Sequence, residues 1–356
     1  MASGARGGGA DHMIGLLPAL RKLGIECEAA VGRDGPLFER MEQLEFPAHR
    51  IELMESRFHP TAPLRMSKLL RKVRPDIVHY HGTRAAWTGA ISRPLHPFGP
   101  KAVYTAHGLA YRKEMSRVRT ALFRVVEGTA CRFAHAVISV SSTDLEDLAT
   151  QHVLPAVCAH VPNAVDTTRF AAGDRTSARL ATGLPENAWI IGTTSRLVPQ
   201  KSLADMIDAV ASCPGVTLVI AGDGELRDEL HRRAEPIHER VLFLGSRDDI
   251  PELLRAFDIF ALSSRWEGEP IALLEAMATA LPCLATATAG SAEILRGSGA
   301  EVLVDIGDVD ALAVAIRELQ ADPGRLERMG AAGLDAVTQR SYANAAQQVL
   351  AVYRKL

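Results

Sequence analysis

The sequence predicts an α/β protein made of two Rossmann-like domains, each built on a parallel sheet. Short apolar segments rich in β-branched residues alternate with helical patterns along the chain, as in successive βαβ units. The chain has 356 residues, and at roughly 150 residues per domain it is long enough for two. Its composition, 47% apolar and 23% charged, excludes disordered and collagen-like proteins.

The strand pattern occurs in both halves of the chain. In the first half, the predicted strands are 25–31, 76–81, 102–107, 136–141 and 156–162. In the second half, they are 189–195, 216–222, 241–245, 258–264 and 282–287. Because helical patterns occupy the intervals between them, the strands are predicted to be parallel.

The junction between the domains is predicted near residues 162–170, PNAVDTTRF, where a strand pattern ends in Pro and Asn and a polar turn follows. The last residues, 341–356, carry apolar side chains at helical spacing and are predicted to pack back onto an earlier element. We therefore assign 1–165 together with 341–356 to an N-terminal domain, and 166–340 to a C-terminal domain.

The beginning of the chain is unusual for a doubly wound sheet. Such a sheet starts with a strand that runs into a glycine-rich turn, yet only Met1, Ala2 and Ser3 precede Gly4. We expect the first N-terminal strand to be missing from a truncated or mis-started sequence, with residues 2–4 as its tail. A natural short variant is the alternative.

The two halves of the chain differ in charge. Residues 1–165 hold 21 basic and 15 acidic side chains, whereas residues 166–356 hold 19 and 27. Between Arg57 and Arg132 the imbalance reaches 15 basic against 3 acidic residues. This bias favours an anionic partner for that region, although a solvated basic surface explains it equally well.

Cysteine usage and hydropathy indicate a cytoplasmic protein. The five cysteines are scattered and none forms a Cys-x-x-Cys pair, which argues against both a disulfide framework and a zinc site. No apolar run approaches the roughly 18 residues of a spanning helix. The first residues also lack the apolar segment of a secretory signal.

Polar and glycine residues that suggest a ligand site follow the predicted strands. Ligands of open parallel sheets bind beyond the carboxyl ends of the strands, where the loops converge with helix N-termini. With two such domains facing each other, we expect these loops to line one interdomain cleft. The residues are Gly7–Gly9, His81–Gly82, His107–Gly108, Arg196, Gly222–Gly224, Gly245–Arg247 and Ser263–Glu267.

Two pairs of charged residues suggest the chemistry of that cleft. Arg196 and Lys201 stand beside a helix start, where two cations and helix-end amides can neutralise a diphosphate without a metal. Surface salt bridges are the alternative. Pro270 suits the first turn of a helix, which places Glu267 in the loop before it and Glu275 inside it. These carboxylates can accept hydrogen bonds from a polyhydroxylated ligand, whereas capping or ion pairing is the alternative role.

The remaining candidates carry weaker signals. Gly7–Gly9 open a helix and can bind an anion through their amides, or they form a flexible terminus. His107 ends an apolar strand, where a lone histidine is more often a core residue with its hydrogen bonds satisfied than a functional one. His81 has the same position on a neighbouring strand. The Asp308–Asp310 pair precedes a helical run, and N-capping explains it better than metal binding.

On these residues the chain resembles the retaining family 4 glycosyltransferases of GT-B fold, from Gly7 to Leu356. Any one of the motifs is weak evidence, but their common order along the chain makes chance similarity very improbable. The matching motifs are Gly8-Gly9-Ala10, His107-Gly108, PNAVDTTRF, SRLVPQK, AGDGELRDEL, VLFLGSRDDIPELL, the Glu267/Glu275 pair, and Gly290 with Glu293.

The resemblance implies a nucleotide-diphosphate sugar bound mainly by the C-terminal domain, with the acceptor approaching from the N-terminal domain. Arg196 and Lys201 would then grip the diphosphate, Glu275 the ribose hydroxyls and Glu267 the hydroxyls of the donor sugar. His107 would meet the sugar from the other wall of the cleft, and domain closure would bring it toward Arg196. The other donor-binding residues implied by the family are Gly8, Gly9, Gly222, Arg247, whose backbone would read the base, and Gly290.

The family also implies retention of the anomeric configuration without a bound metal or other cofactor. We expect a hexosyltransferase that uses a UDP-sugar to extend a glycan or lipid-linked saccharide in cell-surface polysaccharide synthesis. It would act in the cytoplasm, in contact with the anionic inner face of the plasma membrane, and would not bind nucleic acid. A sugar-nucleotide 2-epimerase and a non-catalytic nucleotide-sugar-binding protein are the alternatives. The sequence departs from the family pattern at Ala164, Glu269, Ala280 and Ala289, and Asp11 stands where Glu is common.

Overall fold

A computed structural model gives the structure of residues 8–32, 36–51, 61–96, 99–112 and 115–356. The predicted strand tail at residues 2–4 and the first glycine of the cluster, Gly7, lie outside these described ranges. The chain divides into two compact units. The first comprises Met1–Ala164 with Tyr342–Leu356, and the second comprises Val165–Ser341.

Strands and helices alternate through most of the described chain. The strands are β1 (Ala29–Val31), β2 (Ala48–Arg50), β3 (Ile77–His81), β4 (Lys101–Ala106), β5 (Ala136–Ser139), β6 (Val157–His160), β7 (Trp189–Thr194), β8 (Val216–Ala221), β9 (Val241–Gly245), β10 (Ile259–Leu262), β11 (Cys283–Thr286) and β12 (Leu303–Val304). The α-helices are α1 (Gly8–Lys22), α2 (Pro36–Gln43), α3 (Ala62–Val73), α4 (Thr83–Ser92), α5 (Arg117–Phe133), α6 (Ser142–Thr150), α7 (Arg175–Thr182), α8 (Leu203–Ala211), α9 (Arg227–Ala234), α10 (Ile250–Ala256), α11 (Ile271–Ala278), α12 (Ala289–Leu295), α13 (Val309–Ala321), α14 (Pro323–Val337) and α15 (Tyr342–Tyr353). None of these helices is long and apolar enough to cross a membrane.

The second unit is a doubly wound parallel sheet. Its strand order is β12-β11-β10-β7-β8-β9, and every neighbouring pair is parallel. Alternate residues of one strand face opposite layers, so Val219 packs into one apolar cluster while Leu218 and Ile220 pack into another. The order of the strands reverses between β7 and β10, and this is the position at which such sheets bind ligands.

The first unit contains a four-stranded parallel sheet, β3-β4-β5-β6, and a separate parallel pair, β1-β2. The terminal helix α15 packs against α1 in this unit. Val349 of α15 and Leu16 of α1 are both fully buried in one apolar cluster. The last helix is therefore part of the first unit although the second unit precedes it in the chain.

Each predicted strand overlaps a strand of the structure, and the α/β prediction of two parallel-sheet units is confirmed. The first of them is shorter than predicted, since 25–28 is irregular and only Ala29–Val31 is a strand. The strands β2 and β12 were not predicted. They span 3 and 2 residues, which is too short for a hydrophobic pattern to emerge.

Helix α11 ends in a turn that normally requires glycine. The amide of Leu281 bonds the carbonyl of Ala276, and the amide of Ala280 bonds the carbonyl of Met277. This is the Schellman arrangement, and Ala280 takes its left-handed position with φ of 56°. Glycine adopts this backbone conformation without cost, whereas the alanine carries the strain of its Cβ.

Replacing Ala280 by Gly should stabilise the protein by about 0.5–1 kcal/mol, because relief of the left-handed strain of about 1–2 kcal/mol exceeds the added entropy of the unfolded chain. Urea-induced unfolding of both proteins measures the difference. The matched control is Ala331→Gly, at an exposed site inside α14, which should lose about 1 kcal/mol. A loss of stability in Ala280→Gly would contradict the turn assignment.

Candidate active site

The charged candidates of the second unit lie where its strand order reverses. Arg196 follows β7 by two positions, and Lys201 ends the 3₁₀ turn Pro199–Lys201 just before α8. Glu267 lies in the loop between the adjacent strand β10 and helix α11. Residues that are 66 positions apart in the sequence thus meet at one end of the sheet.

Lys201 and Glu267 form an ion pair at this point. The Nζ atom of Lys201 lies 2.6 Å from Oε1 of Glu267, and the side chains are only 14% and 8% exposed. The hydroxyl of Ser264 donates to the same carboxylate oxygen at 2.6 Å, and Nε2 of Gln200 donates to the other at 3.3 Å. A buried charge pair of this kind is tolerated only because further hydrogen bonds satisfy it.

Backbone contacts hold the two loops together around the pair. The amide of Arg265 donates to the carbonyl of Gln200 at 2.8 Å, and Nε2 of Gln200 donates to the carbonyl of Trp266 at 2.9 Å. The hydroxyl of Ser263 donates to the carbonyl of Lys201 at 3.0 Å. The positions of Lys201 and Glu267 are thereby fixed from both sides.

Several polar groups near the pair have no protein partner. The Arg196 side chain is exposed, and no ion pair or hydrogen bond is found for it within the described residues. In the same part of the chain, the buried hydroxyls of Thr194 and Ser195 and the indole N–H of Trp266 lack a hydrogen-bond partner. Buried polar groups normally find partners, so unpaired atoms in this loop region are unusual.

Two glycines allow close backbone approach around these loops. Gly222 follows β8 with φ of 152°, and a Cβ there would stand 1.9 Å from the carbonyl oxygen of Ser195. A Cβ on Gly290, in the first turn of α12, would stand 2.2 Å from the carbonyl oxygen of Gly268. The loops that carry Arg196 and Glu267 are therefore packed against backbone that has no room for a side chain.

The other two predicted residues of this unit are placed differently. The guanidinium of Arg247 forms a bidentate pair with Asp249, at 2.8 and 2.5 Å, so its side chain is already engaged. Glu275 is half-buried in the second turn of α11. Pro270 is the N-cap of this helix and lies one position before its first turn, because its extended backbone ends the preceding loop.

In the first unit, His107 belongs to a cluster of histidines. His107 follows β4, His81 ends β3 and His12 lies on α1. Nδ1 of His81 is 3.1 Å from Nε2 of His107, and the ring of His12 is 4.9 Å from that of His107 between centroids. His79 stacks on His81 at 4.3 Å. The sequence singled out His107 and His81 but gave no signal for His12.

Burial keeps these imidazoles neutral. Loss of hydration lowers the pKa of His12 to about 4, although its hydrogen bond to Asn163 acts in the opposite direction. Burial likewise lowers the pKa of His81 and of His107 well below the ordinary value, and neighbouring histidines add to the shift. Neutral rings offer one donor and one acceptor each, which suits them to hydroxyl groups.

The glycines at the start of α1 lie beside this cluster. The helix begins at Gly8, and a Cβ on Gly9 would lie 3.7 Å from Cδ2 of His107. The two predicted features, the glycine cluster and His107, are thus neighbours within the first unit. Among the polar residues that support the charged and imidazole groups, His12 was missed, since it carries no distinctive spacing. Asn163 and Gln200 lie in the matched motifs, and Ser264 and Trp266 lie within Ser263–Glu267, but the sequence assigned no individual role to them.

Two family models together match most of the chain. The model described as "Glycosyltransferase Family 4" matches residues 6–169, and the model described as "Glycosyl transferases group 1" matches residues 174–335. An Escherichia coli protein, UDP-Gal:alpha-D-GlcNAc-diphosphoundecaprenol alpha-1,3-galactosyltransferase, is 31% identical over 72% of this chain and 69% of its own.

Further similarities cover the chain to a greater extent. The GDP-mannose-dependent alpha-(1-6)-phosphatidylinositol monomannoside mannosyltransferase of Mycolicibacterium smegmatis is 31% identical over 77% of both chains. The crystal structure of Anabaena HepE in complex with UDP-glucose is 25% identical and superposes with a TM-score of 0.86, covering 100% of this chain and 99% of that one.

Substituting Gly222 by Ala should destabilise the second unit by more than about 2 kcal/mol, because the new Cβ must displace the backbone of Ser195. The matched control is Gly245→Ala. Gly245 ends the neighbouring strand, also has positive φ (67°) and has nothing within 4 Å of its Cβ position, so it should lose only about 1 kcal/mol. Equal losses of stability in urea would contradict the close packing of the Arg196 loop.

Proposed function

The chain belongs to the family 4 glycosyltransferases, and on this premise we propose that it transfers a hexose or N-acetylhexosamine from a UDP-sugar with retention of the anomeric configuration. The acceptor is a glycan or lipid-linked saccharide of cell-surface polysaccharide synthesis. The proposed donor, stereochemistry and acceptor build on the assignment of the chain as a nucleotide-sugar glycosyltransferase of GT-B fold.

The observation that carries the proposal is the contact of Lys201 with Glu267 at the reversal point of the second sheet, with Arg196 in the same loop as the lysine. The Nζ atom of Lys201 has three N–H groups, and one of them faces Glu267. The others and the unpartnered Arg196 provide positive charge for a diphosphate. The buried hydroxyls of Thr194 at the end of β7 and of the next residue, Ser195, are also unpaired. A cationic site held in place before the ligand arrives stabilises a leaving diphosphate without reorganisation.

The residue roles follow from this placement. We assign Arg196 and Lys201 to the diphosphate, Glu267 to the hydroxyls of the donor sugar and Glu275 to those of the ribose. The close backbone at Gly222 and Gly290 shapes the donor site, and the backbone around Arg247 reads the base. In the first unit, His107 is the candidate for contact with the sugar, beside Gly8 and Gly9.

The chemistry proposed for this site requires no metal ion and no side-chain nucleophile. Bond cleavage leaves negative charge on the β-phosphate, and the two cations are placed to stabilise it. In a front-face mechanism the departing phosphate helps to take the proton of the acceptor hydroxyl, so the new bond forms on the face that the leaving group vacates. Positioning and electrostatic stabilisation then account for catalysis.

The donor preference is supported by the similarities to proteins whose names specify UDP. Those proteins are the galactosyltransferase of E. coli and Anabaena HepE. The mannosyltransferase of M. smegmatis is named for GDP-mannose. The preference of this chain for UDP over GDP therefore needs a direct binding test. The galactosyltransferase acts, by its name, on a diphosphoundecaprenol-linked sugar, which supports a lipid-linked acceptor here.

The basic region between Arg57 and Arg132 supports the proposal that the protein binds the cytoplasmic face of an anionic membrane. Helix α5 exposes a stripe of Val118, Leu122 and Val125, with 80%, 59% and 65% of each residue accessible. These positions share one face of the helix. Exposed Arg117 and Arg119 lie in its first turn. An apolar stripe with flanking arginines is the composition of helices that lie in a lipid interface.

Lys201→Met should weaken UDP binding by roughly 10- to 150-fold, since a charge-assisted hydrogen bond contributes about 1.5–3 kcal/mol. Glu267→Gln should retain UDP binding, because it leaves the lysine in place, but should lose turnover of the UDP-sugar. Isothermal titration and product analysis measure the two effects. Arg233→Met, at an exposed ion pair of α9, is the control for charge.

Unchanged UDP affinity in Lys201→Met would remove the diphosphate assignment. Products analysed with and without acceptor separate transfer from epimerisation of the donor. Absence of turnover with every UDP- and GDP-sugar, despite tight binding, would indicate a protein that only binds the nucleotide sugar.

The protein should bind vesicles that contain phosphatidylglycerol more tightly than neutral phosphatidylcholine vesicles. Replacing both Arg117 and Arg119 by Gln should weaken this binding roughly 30-fold, at about 1 kcal/mol for each arginine near the surface. Leu122→Asp should weaken it on both vesicle types. Leu180→Asp, a substitution of a leucine in α7 that is 75% exposed, is the control. Equal binding to anionic and neutral vesicles in co-sedimentation would contradict the membrane proposal.

A further inference from the structure

Three histidines of the first unit bring one ring nitrogen each to a common point. They are His12, His81 and His107, and the nitrogen atoms all lie within 4.8 Å of one another. Each residue comes from a different element, namely α1, the end of β3 and the residue after β4. Such convergence in a folded unit is fixed by packing and does not depend on one flexible segment.

The spacing is close to that of a metal-bound set of imidazoles. Tetrahedral zinc with nitrogen ligands at about 2.05 Å requires nitrogen atoms about 3.3 Å apart. Nδ1 of His81 and Nε2 of His107 already stand 3.1 Å apart. The other separations are at most 4.8 Å, which is about 1.5 Å more than the tetrahedral spacing.

The surroundings orient the ring of His12 as in established metal sites. Nδ1 of His12 lies 3.1 Å from Oδ1 of Asn163, and since that oxygen only accepts, the hydrogen is on Nδ1 and the lone pair is on Nε2. A ligating histidine normally donates its other nitrogen to an oxygen in this way. His12 is only 2% exposed, so its ring is surrounded by protein atoms.

The neighbouring His79 supports the set without joining it. Its Nδ1 is 2.7 Å from the hydroxyl of Tyr353, and its Nε2 is 2.6 Å from that of Thr105, so both nitrogen atoms are engaged. Its ring stacks on His81 at 4.3 Å between centroids. Among the described residues the three-nitrogen group contains no carboxylate, a donor set that favours borderline ions over magnesium or calcium.

We propose that His12, His81 and His107 form a binding site for one divalent transition-metal ion of the zinc class, with the fourth position open to water or a substrate oxygen. The site is separate from the donor chemistry, which uses the cations of the second unit. A metal ion bound to His107 prevents this imidazole from contacting the donor sugar and therefore inhibits transfer. Only this inhibition rests on the proposed function.

The test uses the full chain without an affinity tag, stripped with EDTA and then dialysed. Titration with Co²⁺ should produce the intense visible bands of a tetrahedral nitrogen site and saturate at one ion per chain, and Zn²⁺ should displace the cobalt. His12→Ala and His81→Ala should each weaken binding at least tenfold, and Asn163→Ala should weaken it by about 10- to 100-fold. His238→Ala, at an exposed histidine of the second unit, should bind as the parent does.

Circular dichroism and thermal unfolding establish that each variant is folded, and the stoichiometry of the parent chain tests the site without any variant. The absence of saturable cobalt binding by the parent would overturn the proposal. Undiminished binding by folded His12→Ala and His81→Ala would also overturn it. UDP binding by the same preparations reports on the second unit, so failure of the metal site and failure of the glycosyltransferase assignment are distinguishable.

Discussion

The contact between Lys201 and Glu267 is the interaction on which the candidate active site depends. It joins the loops that follow β7 and β10, strands that lie side by side only because the strand order reverses there. Both side chains are largely buried, and an ion of either sign left alone at this depth would be costly. The same hydrogen bonds that satisfy the carboxylate also fix the lysine and leave its remaining donors for a ligand.

The positions of strands and loops were predictable because parallel strands buried on both faces leave long apolar runs in the sequence. Arg196 could be identified because it follows such a run, and Lys201 and Glu267 because each lies just before a predicted helix. The pairing of Lys201 with Glu267 could not, since it depends on which strands are neighbours. Ala280 is an intermediate case. The sequence showed that it departs from the family pattern, but the left-handed backbone at this position became visible only in the structure.

The roles of the supporting residues escaped prediction for a related reason. His12 lies on a helix among apolar neighbours, and its role follows from Asn163, which is 151 positions away. Ser264 and Gln200 are ordinary polar residues until the fold places them on one carboxylate. Sequence patterns indicate the local secondary structure around a residue, whereas these contacts join segments that are far apart in the sequence. The two units also differ in chemistry, with paired and unpaired charges in the second and neutral imidazoles in the first.

The central claim is that fixed cations at the reversal point take the place of a divalent ion in stabilising the departing diphosphate. The most direct measurement is the rate of UDP-sugar turnover in EDTA and in added manganese, for the parent chain and for the double variant Arg196→Glu, Lys201→Glu. The account predicts that the parent rate persists in EDTA and that the double variant is inactive in both. A rate that vanishes in EDTA and returns with manganese, or that survives the double charge reversal, would contradict it.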